Sequence, residues 1–257
     1  MNAKAELQIA LYQMDSIWKS PAQNLQQLAT HLETLPPITD LVVLPEMWTT
    51  GFVMDPAEVA HSTDSPLLQQ IRALAIKHQV DIVGTLAIRE LDTYYNRAVL
   101  HTADGQLHTY DKQYLFTPSG EHTAYSAGEQ PSTINYRGWK LQLRICYDLR
   151  FPASNDAQEV PDLILYMANW PAARIYHWDQ LLIARAIENQ CYVVGCNRIG
   201  TDGNGWTFPG HSQVIDATGQ VLTHISDTTA GARATLSKLE QEGYRSKFPF
   251  YKDKKQA

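Results

Sequence analysis

The 257-residue sequence is 44% hydrophobic and 19% charged, which is typical of a globular protein with a large apolar core. Its formal charge of −6 comes from 21 basic and 27 acidic residues without a charged tail, so the composition lacks the basic surface expected of a protein that binds nucleic acid or an anionic membrane. No apolar run reaches the length of a membrane span, the first residues lack the apolar core of a signal peptide, and three cysteines are too few for a disulfide framework, so we expect a cytoplasmic protein.

Strand-like and helix-like segments alternate along the first half of the chain. Helices are predicted to begin at Ser20-Pro21 and Ser65-Pro66, because serine followed by proline is a common helix start and apolar residues then recur at helical spacing. Apolar runs predict buried strands, and the last two of them form a hairpin before the turn at Asp104-Gly105. The predicted strands cover residues 7–12, 41–44, 81–88 and 95–102.

The second half has the same character. Strands are predicted at 141–145, 163–167 and 192–196, a helix at 177–190, and a final hairpin at 212–216 and 220–225. Strands that are apolar at consecutive positions must be covered on both faces, so helices are expected to flank the sheets. No repeat or linker divides the chain, and we therefore predict a single α/β domain, residues 1–257, with mixed sheets. The pattern does not give the number of layers.

Glu46 follows a buried strand, within the segment Leu44-Pro45-Glu46-Met47-Trp48. In α/β proteins the carboxyl ends of strands form ligand crevices, and a carboxylate among Pro, Met and Trp would be partly desolvated, which favours a proton-accepting role. A helix N-cap or a structural salt bridge explains the residue equally well from the sequence alone.

The three cysteines occupy different surroundings. Cys146 comes directly after the predicted strand 141–145, where a thiolate can meet backbone N–H donors at a turn or helix start. Cys191 and Cys196 flank the apolar run 192–195 and are typical of small buried hydrophobic residues. A lone cysteine is more often structural than reactive, so Cys146 is a candidate nucleophile by its position only.

Lys112 lies between two aromatic residues, Tyr110 and Tyr114, which indicates partial enclosure, although a solvated surface lysine fits as well. Together with Glu46 and Cys146 it makes a coherent set for hydrolysing an amide through a thioester: a base, a cation for the oxyanion and a thiol nucleophile. No histidine occupies an obvious base position near the thiol, so a papain-like Cys–His pair has little support.

Three segments of the sequence resemble the catalytic motifs of the nitrilase superfamily, in the family's order and at its usual separations. They are LVVLPEMWTTG at 41–51, YDKQYLFTPSGE at 110–121 and LRICYDLRFP at 143–152. The resemblance continues through Asn169-Trp170-Pro171 and RAIENQ at 185–190 to Asp216, so it covers nearly the whole chain. It implies an α/β fold built as a four-layer α-β-β-α sandwich with two mixed central sheets, which agrees with strands covered on both faces.

The resemblance also implies roles for individual residues. Glu46 is expected to be the general base, Lys112 the cation that stabilises the oxyanion, and Cys146 the nucleophile. Glu121 matches a second glutamate of the family that supports the lysine and the substrate; without the family it would be taken for a surface loop acid. The backbone N–H of Tyr147 is expected to share the oxyanion with Lys112.

Within the superfamily, residues 146–152 and 168–177 look most like the bacterial ω-amidases, which hydrolyse the terminal amide of 2-oxoglutaramate and 2-oxosuccinamate. A substrate of this kind carries a carboxylate and therefore needs a cation besides Lys112. Arg174 is the candidate, and a solvent-exposed loop arginine is the alternative.

Aromatic and basic side chains near the motifs complete the expected pocket. Each of its candidate walls could equally belong to the core. These candidate walls are Phe116, Trp170 and Tyr176. Arg144 and Arg150 flank the nucleophile and are expected to be ion-pair partners of nearby acids such as Asp148.

Other functions stay open at this point. A nitrilase, an N-carbamoyl hydrolase or an aliphatic amidase would use the same residues, and a non-catalytic binding protein could keep the fold, although the intact Glu–Lys–Cys set weighs against it. A dinucleotide-binding protein does not fit, because no G-x-G-x-x-G follows the first strand. The nine histidines show no ligand-type spacing, so we expect neither a metal nor another cofactor, and His177 and His211 are either pocket groups or hydrogen-bonded structural residues.

The expected partner is a small-molecule amide, with no nucleic acid and no membrane. The family commonly forms dimers through helices beside the active site, so the resemblance implies a homodimer that uses the helix 177–190 and the segment after Pro152. The sequence alone does not determine the oligomeric state.

Overall fold

The computed structural model describes residues 3–129, 132–152, 160–225 and 231–253, and within these ranges the strands form two six-stranded sheets and one short hairpin. The first sheet contains β1 (Glu6–Tyr12), β2 (Leu41–Val43), β3 (Asp81–Glu90), β4 (Thr93–His101), β5 (Leu107–Asp111) and β14 (Gly231–Ser237). The second contains β6 (Ser132–Tyr136), β7 (Trp139–Ile145), β8 (Leu163–Ala168), β9 (Tyr192–Asn197), β12 (Gln213–Ile215) and β13 (Val221–His224). The hairpin is β10 (Ile199–Thr201) and β11 (Thr207–Pro209). The helices are α1 (Pro21–Leu32), α2 (Pro66–His78), α3 (Glu121–Ala124), α4 (Ile175–Asn189) and α5 (Lys238–Lys247).

Both sheets are mixed and follow one plan. In the first, β1, β2 and β3 are parallel, β4 and β5 continue antiparallel, and β14 pairs antiparallel with β1 on the other side. In the second, β7, β8 and β9 are parallel, and antiparallel strands flank them on either side. The carboxyl ends of the parallel strands therefore gather at one end of each sheet, where crevices form in α/β folds.

Three apolar clusters separate four layers. Between the two sheets, Leu11 and Val43 of the first share a buried cluster with Leu143 and Ile145 of the second. A second cluster buries the inner sides of α1 and α2 against the outer face of the first sheet. A third packs Trp178 and other residues of α4 against the outer face of the second sheet. The α-β-β-α sandwich with two mixed sheets is thus confirmed, including the number of layers that the pattern alone did not give.

Both predicted helix starts are present, with a proline in the first turn of α1 and of α2. Neither Ser20 nor Ser65 makes a capping hydrogen bond with its side chain. The fixed φ of proline and the burial of an apolar stripe therefore account for these helices. At the other end, α2 and α4 stop at Gln79 and Gln190, which adopt left-handed conformations with φ of 54° and 47°.

Several elements lack an apolar pattern, and the sequence did not predict them. β14 is an edge strand with the half-exposed sequence GARATLS, and β5 is the polar segment LHTYD. The only buried residue of α5 is Gln241, and the helix docks through polar contacts such as Arg245 Nη1 to Asp162 Oδ1 at 2.8 Å. α4 begins two residues earlier than predicted. Among the described residues, no helix is both long enough and apolar enough to cross a membrane.

Candidate active site

Four residues that the sequence singled out meet at one end of the two sheets. Glu46 follows β2, Lys112 follows β5, Cys146 follows β7, and Glu121 begins α3. The Nζ atom of Lys112 lies 2.8 Å from Glu46 Oε1 and 2.9 Å from Glu121 Oε2. These three charged side chains are at most 1% exposed, so they form a buried ion network and not a surface salt bridge.

Glu46 is held in place by residues of both sheets. Asn96 of β4 donates a side-chain N–H to Glu46 Oε1 at 2.7 Å, and the backbone N–H of Asn169, just after β8, donates to Oε2 at 3.0 Å. The Asn169 side chain also donates to the backbone oxygen of Glu46 at 2.9 Å. Thr85 in turn donates to the Asn96 side-chain oxygen at 2.8 Å. The carboxylate therefore has one fixed orientation, as a positioned proton acceptor requires.

Two carboxylates keep Lys112 charged in spite of its burial. Burial alone would lower the pKa of Lys112, but the charges of Glu121 and Glu46 raise it well above its ordinary value. Burial raises the pKa of Glu121, and the Lys112 ammonium opposes this effect. The backbone N–H of Phe116 donates to Glu121 Oε2 at 2.6 Å and orients the carboxylate. The site thus contains a permanent, anchored cation that can stabilise an oxyanion.

Cys146 stands where β7 passes into a 3₁₀ turn, Cys146–Arg150. Its φ of 42° lies in the left-handed region, which costs a residue other than glycine about 1 kcal/mol. The carboxylate of Asp148 stabilises the turn, because it accepts hydrogen bonds from the backbone N–H of Ile145 at 2.8 Å and of Tyr114 at 2.9 Å. The strained turn places the thiol in the wall of a cavity.

The thiol of Cys146 is protonated in the resting site. Burial and the charges of Glu46 and Glu121 raise its pKa well above the ordinary value, and the Lys112 ammonium offsets only part of this rise. The thiol donates to the backbone oxygen of Asn169, with Sγ and O 4.0 Å apart, and the charge of the Glu46 carboxylate acts on it. The thiol therefore needs a base at the moment of attack, and the Glu46 carboxylate is placed to take the proton.

Glu46 and Cys146 line a cavity of about 340 Å³, near the lower end of the range for small-molecule sites. Two arginines, Arg150 and Arg174, line the same space. The Arg174 guanidinium lies over the rings of Phe116 and Trp206, at 5.3 and 5.5 Å from their centroids. In the part of the chain that the structure describes, no carboxylate forms an ion pair with either arginine, although Glu46 and Asp202 also line the cavity.

Comparison with known proteins agrees with this chemistry. The family model for carbon-nitrogen hydrolases matches residues 8–239. The chain belongs to the carbon-nitrogen hydrolase family. An omega-amidase, YafV, from Yersinia enterocolitica is 40% identical over 248 residues, which are 96% of each chain. A 2-oxoglutaramate amidase from Bacillus subtilis is 34% identical over 250 residues, with 95% of this chain and 96% of that protein covered.

Solved structures of the family agree in fold. The crystal structure of XC1258 from Xanthomonas campestris, a CN-hydrolase superfamily protein with an arsenic adduct in the active site, has a TM-score of 0.94 and 37% identity, and the match covers 98% of each chain. Nit3 from Saccharomyces cerevisiae, a nitrilase-superfamily member, has a TM-score of 0.87 and 28% identity over 98% of this chain. The protein is therefore a hydrolase of carbon–nitrogen bonds within the nitrilase superfamily.

The catalytic cavity contains most, but not all, of the predicted substrate-binding residues. Phe116, Tyr147, Trp170 and Arg174 line it. Tyr176, in the first turn of α4, does not line it and is 70% exposed. The structure therefore places Tyr176 outside the expected pocket wall.

Neither of the two arginines beside the nucleophile forms an ion pair with Asp148, which was one of the nearby acids expected as partners. Arg144 donates to Gln113 Oε1 at 2.7 Å. Arg150 lies over the Trp170 ring at 5.0 Å, and its Nη2 is 3.1 Å from His177 Nδ1. The 3₁₀ turn carries Arg150 into the cavity wall, and the nearby acids Asp156 and Glu159 lie outside the described residues.

Several residues of the site had no role assigned from the sequence. Asn96 and Asn169 hold the base, and the β10–β11 hairpin adds Asp202, Asn204 and Trp206 to the cavity wall. Asn169 belongs to a segment that resembles the family, so a signal existed for its importance but not for its bonds. Asn96 gave no signal, since its side chain is paired with a carboxylate 50 residues away.

Proposed function

We propose that this carbon–nitrogen hydrolase is an ω-amidase, which releases ammonia from the terminal amide of 2-oxo dicarboxylate monoamides such as 2-oxoglutaramate and 2-oxosuccinamate. The observation that carries the proposal is the combination, in one small cavity, of the Cys146 thiol with two guanidinium groups that form no ion pair with any described carboxylate. The relatives named omega-amidase and 2-oxoglutaramate amidase, at 34–40% identity over nearly the full length, support the same substrate class.

The proposed reaction begins with the neutral thiol. Glu46 accepts the Cys146 proton as sulfur attacks the amide carbonyl, and the oxyanion forms between the Lys112 ammonium and the backbone N–H of Tyr147. Glu46 then returns the proton to the departing nitrogen, so that ammonia leaves and a thioester remains. Glu46 next activates a water molecule, which hydrolyses the thioester and restores the thiol.

Glu121 acts on this reaction through Lys112 and is a positioning residue. Its two oxygens accept hydrogen bonds from Lys112 Nζ at 2.9 and 3.0 Å, while Lys112 also contacts Glu46. With Glu121 present, the ammonium is shared between two carboxylates and remains available to the oxyanion. Without it, Lys112 would be paired with the base alone.

The substrate carboxylate is proposed to bind Arg174 and Arg150. Arginine binds a carboxylate through two parallel N–H groups, and the low polarity of the aromatic walls strengthens the attraction. Burial lowers the pKa of Arg174, and the Arg150 charge adds to this, so an incoming anion relieves the repulsion between the two groups. A neutral amide would gain no such electrostatic attraction to the two arginines.

The test compares 2-oxoglutaramate with pentanamide, a neutral amide of the same chain length, and follows ammonia release. We expect Arg174→Ala to raise KM for 2-oxoglutaramate about 10–100-fold and to leave KM for pentanamide unchanged, since a charge-assisted hydrogen bond contributes about 1.5–3 kcal/mol. Arg150→Ala should behave in the same way. Arg233→Ala, at an exposed position of β14, is the matched control and should leave KM unchanged for both substrates.

The outcomes separate the parts of the proposal. An equal effect of Arg174→Ala on both amides would remove this arginine from carboxylate binding. Ammonia released from simple nitriles and not from 2-oxoglutaramate would keep the catalytic residues and replace the substrate. Turnover that survives in Cys146→Ala, or after treatment with iodoacetamide, would contradict the thioester mechanism itself.

We also propose that residues 1–257 act as one carbon–nitrogen hydrolase domain and as a cytoplasmic homodimer. The match over residues 8–239, the reduced thiol that the mechanism needs, and Ile187 of α4, which is 53% exposed, support this. The segment expected beside α4 begins after Pro152, and its residues 153–159 lie outside those described. Light scattering should give a dimer for the wild type and a monomer for Ile187→Glu; a monomeric wild type would contradict the proposal.

A further inference from the structure

A second cluster of polar side chains lies outside the catalytic cavity, where α4 packs beside the β12–β13 hairpin. Asp179 belongs to α4, His211 precedes β12, and His224 ends β13. None of the three lines the cavity. Across the described ranges this is the one group of three potential metal ligands: a carboxylate oxygen of Asp179 and one ring nitrogen of each histidine lie within 4.8 Å of one another.

The spacing suits one first-row transition-metal ion. His211 Nδ1 lies 3.0 Å from Asp179 Oδ2, and the ring centroids of His211 and His224 are 4.8 Å apart. Ligand atoms at about 2.1 Å from a tetrahedral zinc ion lie roughly 3.4 Å from one another. Asp179 and His211 are partly exposed and His224 is exposed, so small side-chain rotations bring all three to that spacing.

Neighbouring residues hold two of the three ligands in position. Gln213, which is 2% exposed, donates to Asp179 Oδ1 at 2.6 Å and leaves Oδ2 beside the histidine. Trp178 donates its ring N–H to the backbone oxygen of His211 at 2.8 Å. His211 also has a left-handed φ of 57°, a strained conformation of the kind that concentrates at functional sites. Hydrogen bonds of this type orient the ligands in metal sites.

We propose that Asp179, His211 and His224 bind one divalent transition-metal ion, with Zn²⁺ as the reference ion. Two imidazoles and one carboxylate form a common zinc donor set, and imidazole ligands select Zn²⁺, Cu²⁺ or Ni²⁺ against Mg²⁺. The ion binds between His211 Nδ1 and Asp179 Oδ2, and the neutral imidazole carries its ring proton on Nε2. Water completes the coordination on the exposed side.

The three ligands are distant in sequence, and Asp179 and His211 alone are 32 residues apart. For this reason the sequence shows no spacing typical of metal ligands. A bound ion ties α4 to the β12–β13 hairpin. Trp178, next to Asp179 in α4, packs against Trp170, with 5.6 Å between the two ring centroids, and Trp170 lines the catalytic cavity. The ion therefore stabilises the face of the fold that supports one wall of that cavity.

The test measures Zn²⁺ binding to untagged protein by calorimetry in a Cys146→Ala background, so that the catalytic thiol contributes no ligand. We expect one Zn²⁺ per chain with a Kd of about 10 µM or tighter, and a rise in Tm of about 5 °C at a hundred-fold excess over Kd. His224→Ala removes an exposed ligand with little risk to folding and should weaken binding at least about ten-fold. Asp179→Asn should have a similar effect.

Two controls make the result specific. His122→Ala removes another exposed histidine, away from the cluster, and should leave the Zn²⁺ affinity unchanged. Mg²⁺ should not bind at the concentrations that saturate the site with Zn²⁺. Absence of Zn²⁺ binding at 100 µM (about ten times the expected Kd), or binding that is equal in His224→Ala and the parent, would overturn the proposal.

Discussion

Replacement of Glu121 by glutamine tests how the buried ion network works. Both oxygens of Glu121 are occupied, by Lys112 Nζ at 2.9 and 3.0 Å, by the Phe116 N–H at 2.6 Å and by the Asn96 side chain at 3.0 Å. Glutamine keeps the shape but turns one acceptor oxygen into an NH₂ group, which cannot accept from its former donors. One buried donor therefore loses its partner.

The size of the effect follows from the burial. Removing one partner of a buried ion pair destabilises a protein by about 3–5 kcal/mol, and here Glu46 still neutralises Lys112, so about 3 kcal/mol is expected. For a chain of this length that lowers Tm by about 6 °C. Because Lys112 is then paired with the base alone, kcat/KM should fall ~10²-fold.

The reactivity of the thiol should change in the opposite direction. The Glu121 charge is one of the causes that raise the pKa of Cys146, so its removal lowers that pKa and increases the thiolate fraction at a given pH. Iodoacetamide should therefore alkylate Glu121→Gln faster than the wild type at pH 8, although turnover has dropped. A purely structural role for Glu121 would not separate the two rates.

Glu58→Gln is the matched control, because Glu58 is a surface residue that is 51% exposed and paired with Lys19. Neither its turnover nor its alkylation rate should differ from the wild type. The reasoning would be refuted if Glu121→Gln kept its kcat/KM within about three-fold of the wild type. It would also be refuted if alkylation slowed together with turnover.

Three further changes test other parts of the structure. Asn96→Ala removes a donor shared by both buried carboxylates and should lower kcat about ten-fold at unchanged KM; a wild-type kcat would exclude this positioning role. Tyr110→Phe removes the 2.8 Å hydrogen bond to Asp148 and should lower Tm by about 3 °C, and an unchanged Tm would contradict it. Burial lowers the pKa of His101 to about 4, so between pH 6.5 and 4 only the unfolded chain takes up this proton and stability falls as pH falls. His101→Leu should therefore reduce the loss of unfolding free energy between pH 7.5 and 5, measured in urea, by about 2 kcal/mol, whereas an equal loss in both proteins would count against this assignment.

The parts of the site that the sequence predicted are those attached to apolar strands. Glu46 follows β2, a short continuous apolar run, and Cys146 follows β7, where apolar and polar residues alternate, so the sequence pattern alone places both residues at strand ends. The two sheets and their covering helices followed from the same runs. The number of layers, by contrast, depends on which faces of the sheets and helices pack together, and the sequence pattern does not contain that information.

Arg174 and Tyr176 show why the residues of the substrate pocket were harder to predict from the sequence than the catalytic residues. The sequence placed both before a helix beginning at residue 177, but α4 begins at Ile175. Arg174 therefore lies outside α4, at the end of the 3₁₀ turn Ala172–Arg174 with φ of −131°, and lines the cavity, whereas Tyr176 lies in the first turn of α4 and is exposed. A shift of two residues in the helix start, which is within the ordinary uncertainty of such boundaries, decides between the two positions.

The pairing of β14 with β1 has a consequence for the synthesis of the chain. Every residue of β1, from Glu6 to Tyr12, lies opposite a residue of β14, which leaves the ribosome after all the other strands of this sheet. Until then one edge of the first sheet has no neighbour, and unpaired edges invite pairing with other chains. A chain that stops before Gly231 would therefore contain every catalytic side chain and still be prone to aggregate.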